Sequence, residues 1–162
     1  MIKSITSENR IDINNFITNI RGSTKIAVHG KLFDLSTLDG FVMYEDNTII
    51  GLVTFRFEYN ECEIMSLDSA KEKNGYGTIL INKVIETALN LNCLKIKLIT
   101  TNDNVNAFSF YQKRGFDLIS VYPYEVEFAR KLKPSIPLFG DNNIPIKHEL
   151  EFEMILYNIY IY

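Results

Sequence analysis

Two periodicities alternate along the chain, and they predict most of its elements. "IDINNFITNI" (11–20) sets Ile13, Phe16, Ile17 and Ile20 on one helical face. "DGFVMYEDNTIIGLVTFRFEY" (39–59) predicts a hairpin, with apolar, β-branched and aromatic runs on either side of Glu45-Asp46-Asn47. "CEIMSLDS" (62–69) predicts a strand with Cys62, Ile64 and Ser66 facing away from Glu63, Met65 and Leu67. From Gly77 the spacing turns helical again, through Ile81, Val84, Ile85, Ala88 and Leu89. "LKIKLIT" (94–100) then alternates Leu94, Ile96, Leu98 and Thr100 against Lys95, Lys97 and Ile99.

A second helix is predicted over 104–115. Asn104 suits its N-cap, Gly115 its stop, and Lys113 and Arg114 complement the negative end of its dipole. "FDLISVY" (116–122) reads as strand, 124–132 as a short helix, and 133–147, with three prolines, as irregular. "HELEFEMILY" (148–157) alternates as a closing strand, and the apolar, aromatic "MILYNIYIY" at the C-terminus reads as strand too. Meandering strands followed by strands interleaved with helices predict an α/β fold whose sheet is mixed, not doubly wound.

Composition narrows the function classes a little. With 162 residues, 46% hydrophobic and 23% charged, the chain suits one domain, 1–162, with a sizeable core. A net charge of −3 argues against a general nucleic-acid binder, so any cationic site is local. "MIKSITSENR" lacks the apolar core of a signal peptide, and no apolar run is long enough to span a membrane. Cys62 and Cys93 read as buried free thiols in a reducing cytoplasm. His29 and His148 have no neighbours at metal-ligand spacing, so no metal site is expected.

The stretch that demands a chemical reason is "KEKNGYGTILINKV" (71–84), where two glycines open a helix directly after a strand. The first N–H groups of a helix have no internal partner, and the macrodipole adds partial positive charge there. Glycine removes the Cβ that would hold an anion off. Neither familiar nucleotide loop fits. A P-loop needs Gly-Lys-Ser/Thr where Gly77 is followed by Thr78, and a dinucleotide fingerprint needs a third glycine where Leu80 stands. A plain glycine turn ending a strand is the competing reading.

That stretch, with "NDNVNAFSFYQKRGF" (102–116) after it, resembles the GNAT superfamily of acyl-CoA-dependent N-acetyltransferases. Glu72, Lys73, Asn74, Gly75, Tyr76 and Gly77 match its Arg/Gln-x-x-Gly-x-Gly/Ala signature, with Glu72 departing at the Arg/Gln position. Asn104, Ala107, Tyr111, Gly115 and Phe116 match Asn-x-x-Ala-x-x-x-Tyr-x-x-x-Gly-Phe. The resemblance implies a mixed, mostly antiparallel central sheet with a splayed strand pair and flanking helices. It implies acetyl-CoA as co-substrate, with its diphosphate on the backbone of Lys73, Asn74, Gly75, Tyr76, Gly77 and Thr78, and with Lys71 and Lys73 offsetting Glu72.

It further implies that the main chain of Leu67 and Asp68 faces the pantetheine and acyl carbonyl, that Asn104 contacts the pantetheine arm, and that Tyr111 protonates the departing thiolate. Asn104 and Tyr111 also have plainer readings, as an N-cap and as core packing. For the general base Glu63 comes first, with Asp68 and Glu61 as competitors; the plain reading of Glu63 is a solvated strand carboxylate. The acceptor, a small-molecule or protein amine, belongs to segments 22–38 and 123–147. There Arg130, Lys131, Lys133 and Lys147 form either an anion-greeting lid or a solvated helix face before a stiff loop. No nucleic-acid or membrane partner is expected, and a homodimer is an open option. The alternative function is a non-catalytic GNAT-fold module that binds or senses acyl-CoA.

Overall fold

The computed structural model describes residues 1–71 and 74–156. In chain order the elements are β1 (Ile2–Ser4), α1 (Arg10–Arg21), β2 (Lys25–Val28), β3 (Lys31–Asp34), a 3-10 turn (Leu35–Thr37), β4 (Asp39–Glu45), β5 (Thr48–Glu58) and β6 (Glu61–Ser69). Then follow α2 (Tyr76–Asn90), β7 (Lys95–Thr101), α3 (Val105–Gln112), β8 (Asp117–Tyr122), α4 (Glu125–Leu132) and β9 (Glu149–Ile155). Seven strands make a mixed, mostly antiparallel sheet, and β2 and β3 form a separate pair. The predicted α/β class with a mixed sheet is what the chain adopts. No helix among the described residues is long and apolar enough to cross a membrane.

The chain packs as two compact units. The first comprises Met1–Thr24 and Asp34–Ile96, with Leu156. Its strands run in the order β1-β4-β5-β6, every neighbour antiparallel. Two tight hairpins join them, each turning on two residues at positive φ: Asp46 and Asn47 (φ 47 and 61), then Tyr59 and Asn60 (φ 49 and 60). Such mirror-image turns match the right-handed twist of the strands they connect. Ile81, Val84 and Ala88 of the predicted α2 face are buried, and Leu80 joins them, whereas Leu89 of that face is 37% exposed. On α1 the buried residues are Ile13 and Ile17, whereas Ile20 is 45% exposed. The predicted stripe thus ends one turn early, where the left-handed Gly22 closes the helix.

The alternation predicted for β6 fails at one residue, for a visible reason. Ile64 pairs with Phe55 and Ser66 with Thr54, so Met65 is an extra residue, a β-bulge. Beyond it the faces exchange. Ser66 joins the Glu63 face, its hydroxyl 2.7 Å from that of Thr54, and Leu67 joins the face of Cys62 and Ile64.

The second unit comprises Lys25–Phe33 and Lys97–Ile155, with β9 between β7 and β8. Phe152 of β9 is fully buried, with the Tyr111 ring beside it and Phe116 packed in turn on Tyr111. Helix α3 ends at Gln112, earlier than predicted, and Gly115 (φ 90) makes the reversal three residues later. The Phe116 N–H reaches back to the Tyr111 carbonyl at 3.1 Å, a bond that needs a residue in the left-handed region just before it. Segment 124–132 is helical from Glu125, and 133–147 holds only an isolated bridge between Phe139 and Pro145. Residues 157–162 of the predicted C-terminal strand lie outside the described residues.

Both cysteines are buried free thiols, as expected. Burial, with Cys93 and Glu63 adding to it, pushes the Cys62 thiol up to about 12; burial raises Cys93 as well. A raised thiol pKa keeps the group protonated at pH 8, and against the reference value of 9.0 the Cys62 thiolate is about 10³-fold scarcer. Native protein treated with an aromatic disulfide reagent at pH 8 is therefore expected to leave Cys62 unmodified until urea unfolds it. Rapid native-state labelling of Cys62, located by peptide mass mapping, contradicts this.

Candidate active site

In the first unit β6 runs into α2 through the glycine turn. Gly75 is the N-cap of α2, at φ 78 and without a side-chain hydrogen bond to the helix. Among the described residues nothing lies within 4 Å of where its Cβ would stand, and the first turn of α2 has no acidic residue. An open, acid-free helix start preceded by a left-handed glycine is the local geometry that suits an anion. Of the turn residues that the sequence points to, Asn74, Gly75, Tyr76, Gly77 and Thr78 are described; Glu72 and Lys73 lie outside the described residues. Lys71 is not a spare cation. Its Nζ sits 2.5 Å from Glu45 Oε2, and the Tyr76 hydroxyl donates to Glu45 Oε1 at 3.3 Å. The hydrogen bond and charge of Lys71 lower the Glu45 carboxyl pKa, and Glu45 raises that of Lys71. Both side chains are well exposed, so solvent and salt weaken the pair.

The bulge decides where the β6 side chains go. Leu67 pairs with Val53 and Asp68 with Leu52. A Cβ at Gly51, on the Val53 face, would meet Leu80 of α2 at 3.0 Å, so α2 covers that face and Leu67 points the same way. Asp68 points to the other, where Arg21 at the end of α1 holds it. The Arg21 Nε lies 3.0 Å from both carboxylate oxygens, and Nη2 lies 2.9 Å from Oδ1.

Glu63 shares the Asp68 face and is not a solvated strand carboxylate. It is 6% exposed, and its Oε2 accepts from Arg56 Nε at 2.8 Å and lies 2.6 Å from Nη2. The third carboxylate considered from sequence, Glu61, pairs with Lys95 at 3.3 Å. All three are thus bound to cations. Nothing in the sequence pattern marks Arg56 or Arg21; only the cross-strand register and the end of α1 bring them to Glu63 and Asp68.

In the second unit Asn104 caps α3, its Oδ1 accepting from the Ala107 N–H at 3.1 Å. Tyr111 is 7% exposed, with its ring centroid 5.1 Å from Phe110, 5.5 Å from Phe116 and 6.1 Å from Phe152. The core reading of its ring therefore holds, and an acid role rests on the hydroxyl alone. Arg114 donates to the Phe110 carbonyl at 2.8 Å and lies 3.6 Å above the Phe110 ring, closing the helix end electrostatically.

This unit also brings together parts of the two segments expected to govern the acceptor, as the β2–β3 hairpin and α4. Lys133 Nζ donates to the Lys25 carbonyl at 2.7 Å. Arg130 Nη2 donates to the carbonyls of Pro137 and Ile146 at 2.9 and 2.6 Å. These two residues are therefore staples for the proline loop and the hairpin, which corrects the solvated-face reading. Lys131 lies 5.0 Å over the Phe128 ring. The Lys147 and His148 N–H groups both donate to Asn102 Oδ1, at 2.8 and 2.9 Å.

The hairpin turns on His29 (φ 48) and Gly30 (φ 67). Buried Glu149 accepts from the His29 N–H at 3.2 and 3.3 Å and lies 3.1 Å from His29 Nδ1. Burial raises the Glu149 carboxyl above its ordinary value, opposed by the His29 N–H and imidazole. Little in the sequence announces this pair. The only signal was a His-Gly dipeptide between the short β-like runs "KIAV" and "KLFD".

Comparison with known proteins agrees with these features. The profile of the Acetyltransferase (GNAT) family matches residues 19–116. Over 130 residues the chain is 48% identical to the uncharacterized protein YxbD of Bacillus subtilis (strain 168), covering 80% of this chain and 82% of that protein. It is 43% identical over 145 residues to the uncharacterized protein YdhI of the same strain, covering 89% and 91%. Among solved structures, a GNAT family acetyltransferase from Elizabethkingia anophelis with acetyl-CoA bound superposes with a TM-score of 0.70 at 18% identity, covering 96% of this chain and 97% of that one. With a family profile across more than half of its length and two relatives at this identity, the chain belongs to the GNAT acetyltransferase family.

Proposed function

We propose that the protein is an N-acetyltransferase that moves the acetyl group of acetyl-CoA to a primary amine by direct attack. The observation that carries this is the start of α2, where left-handed Gly75 leaves the helix without a side-chain cap and, among the described residues, with nothing within 4 Å of its Cβ position. Ser, Thr, Asp and Asn close an N-terminus with a side-chain acceptor; a glycine supplies none, which supports a reading in which an anion from outside meets the turn. Acetyl-CoA supplies an activated thioester and a diphosphate by which to hold it, and the structural neighbour from Elizabethkingia has it bound.

Each residue then has a task that physical chemistry defines. Backbone N–H groups over 73–78 hold the diphosphate, a grip that is indifferent to the Glu72 side chain. The main chain of Leu67 and Asp68 orients the pantetheine and the acyl carbonyl. Arg21 takes the Asp68 carboxylate on the opposite face of the strand. Asn104 starts α3 and fixes its first turn. Tyr111 lends its hydroxyl proton to the departing sulfur. Phenol and thiol reference pKa values of about 10 and 8.5 make that transfer uphill in water, so it depends on a thiolate that is poorly solvated. Burial of the Tyr111 ring among Phe110, Phe116 and Phe152 keeps its surroundings apolar. Glu63, if it serves as base, must do so while paired with Arg56.

Thiol release from acetyl-CoA in the presence of an amine panel, run beside a thermal-shift titration, tests the reading. Release that depends on an amine supports it; a thermal shift without release supports an acyl-CoA-binding module instead.

Gly77 stands in the first turn of α2. Gly77→Val adds a β-branched side chain where the diphosphate passes, and the acetyl-CoA Kd is expected to rise about tenfold or more, on the order of 1.4 kcal/mol. Unchanged affinity in a folded variant removes the turn from the site.

Tyr111→Phe keeps the ring and its packing. If the hydroxyl is the acid, kcat falls about 10²-fold while acetyl-CoA affinity holds. A variant that melts earlier and turns over normally returns Tyr111 to the core alone.

A further inference from the structure

An open β-sheet has two edges, and each leaves a row of backbone N–H and C=O groups that can pair with another strand. The seven-stranded sheet ends at β1 and at β8. β1 is three residues long and carries Lys3. Short length and a lysine both discourage pairing. β8 has neither protection. It runs for six residues, Asp117–Tyr122, without lysine, arginine or proline, and its single charge stands at its start. Among the described residues β9 is the only strand that pairs with it. None of its residues is buried, and Ile119 and Val121 are 52% and 51% exposed.

The register with β9 shows which face each side chain takes. Leu118 pairs with Phe152 and Val121 with Leu150, and those two β9 residues, two apart, share a face. Asp117, Ser120 and Tyr122 pair with Glu153, Glu151 and Glu149 on the other face. Ile119 is the extra residue, a β-bulge. In a regular strand Leu118 and Val121, three apart, would point to opposite faces; the bulge brings them to one. The strand thereby becomes complementary to itself. A second β8 laid antiparallel about a two-fold axis between Ile119 and Ser120 sets Leu118 opposite Val121 of the second copy on one face. On the other face Asp117 meets Tyr122, and Ile119 meets Ser120. No charge meets its like, and the two Asp117 side chains stand roughly 17 Å apart at 3.4 Å per residue. A slip of one residue would set Leu118 opposite Tyr122 or Ser120, which point to the other face. The glutamates of β9 do not oppose this pairing directly, because β8 itself stands between them and the second copy.

We propose that β8 is the interface of a homodimer, pairing antiparallel with β8 of a second copy and joining the two sheets edge to edge. The proposal does not depend on the transferase reading. Backbone hydrogen bonds supply the attraction, and the face match of Leu118 with Val121 fixes the register. A pairing of this length is small beside the roughly 1,200–2,000 Å² of a standard interface, so monomer and dimer exchange with concentration.

Sedimentation velocity of the full chain at rising concentration reads the mass directly, and the parent is expected to pass from one copy to two. Ile119 is half exposed and beside the axis, so Ile119→Lys disturbs the monomer little and sets two like charges side by side. The dimer Kd is expected to rise about tenfold or more. Cross-linking reads the register independently of that variant. Leu118→Cys and Val121→Cys, mixed and treated with oxidised glutathione, are expected to form a covalent dimer, since opposite residues lie within disulfide reach. Each bond formed reduces one glutathione disulfide to two thiols. Either variant alone is expected to stay uncoupled, because its two new thiols stand about 10 Å apart along the strands. The native Cys62 and Cys93 thiols are buried and stay out of the exchange. A parent that remains monomeric at every concentration overturns the proposal in favour of an unlike partner for the edge. So does a dimer that a folded Ile119→Lys variant does not weaken, or cross-linking as efficient in either single variant as in the mixture.

Discussion

The pairing of β5 with β6 governs what the first unit offers chemically, and its controlling feature is one inserted residue. Without Met65 as a bulge, the side-chain period of two would carry Ser66 to the α2 face and Leu67 to the opposite one. Asp68, one residue further, would then point into the apolar layer under α2, where an ionised carboxylate is costly to bury. With the bulge it points to Arg21 instead, and the hydroxyls of Thr54 and Ser66 satisfy each other inside the sheet. A single extra residue thus converts an unfavourable burial into a set of paired polar groups. It also adds local twist just before the strand delivers the chain to the glycine turn.

Buried charge is handled in two contrasting ways. On β5 and β6 the carboxylates are neutralised by guanidinium groups, which are always protonated and so cannot exchange a proton with them. Pairs of that kind fix geometry well and do little else. Glu149 faces an imidazole and a backbone N–H, partners that leave it less completely compensated. Burial accordingly raises its carboxyl pKa, whereas a fixed cation would oppose that effect.

Much of the fold was legible because periodicity reports burial directly. Ile81, Val84 and Ala88 of α2, Ile96 and Leu98 of β7, and the Asn104 cap all stand as the sequence predicts. The family was legible for a related reason: turn glycines and a capping asparagine at fixed spacing are backbone requirements, and backbone requirements leave clear traces in sequence. What could not be read was set by long-range register. The Met65 bulge is invisible in "CEIMSLDS", because every residue there suits a strand. The short strands β2 and β3, four residues each, fall below the length at which alternation is informative. Ile20 and Arg130 failed for a subtler reason. Helical spacing says which side chains share a face, but not whether that face is covered, nor whether a cation on it will find carbonyls such as those of Pro137 and Ile146.

The β2–β3 turn shows how a local cost and a distant partner can specify one another. A two-residue hairpin with both φ positive favours Asn-Gly or Asp-Gly, and histidine at its first position gives up some of that preference. Asparagine at that position would ease the backbone but could present no basic nitrogen. The buried carboxylate of Glu149 offsets the cost by holding the His29 N–H in the turn and its ring against Tyr122. The same three contacts that justify the conformation also fix the direction in which Nε2 points. A residue placed only for the turn would not need the ring contact, and one placed only for its ring would not need the left-handed backbone. One buried carboxylate satisfies both.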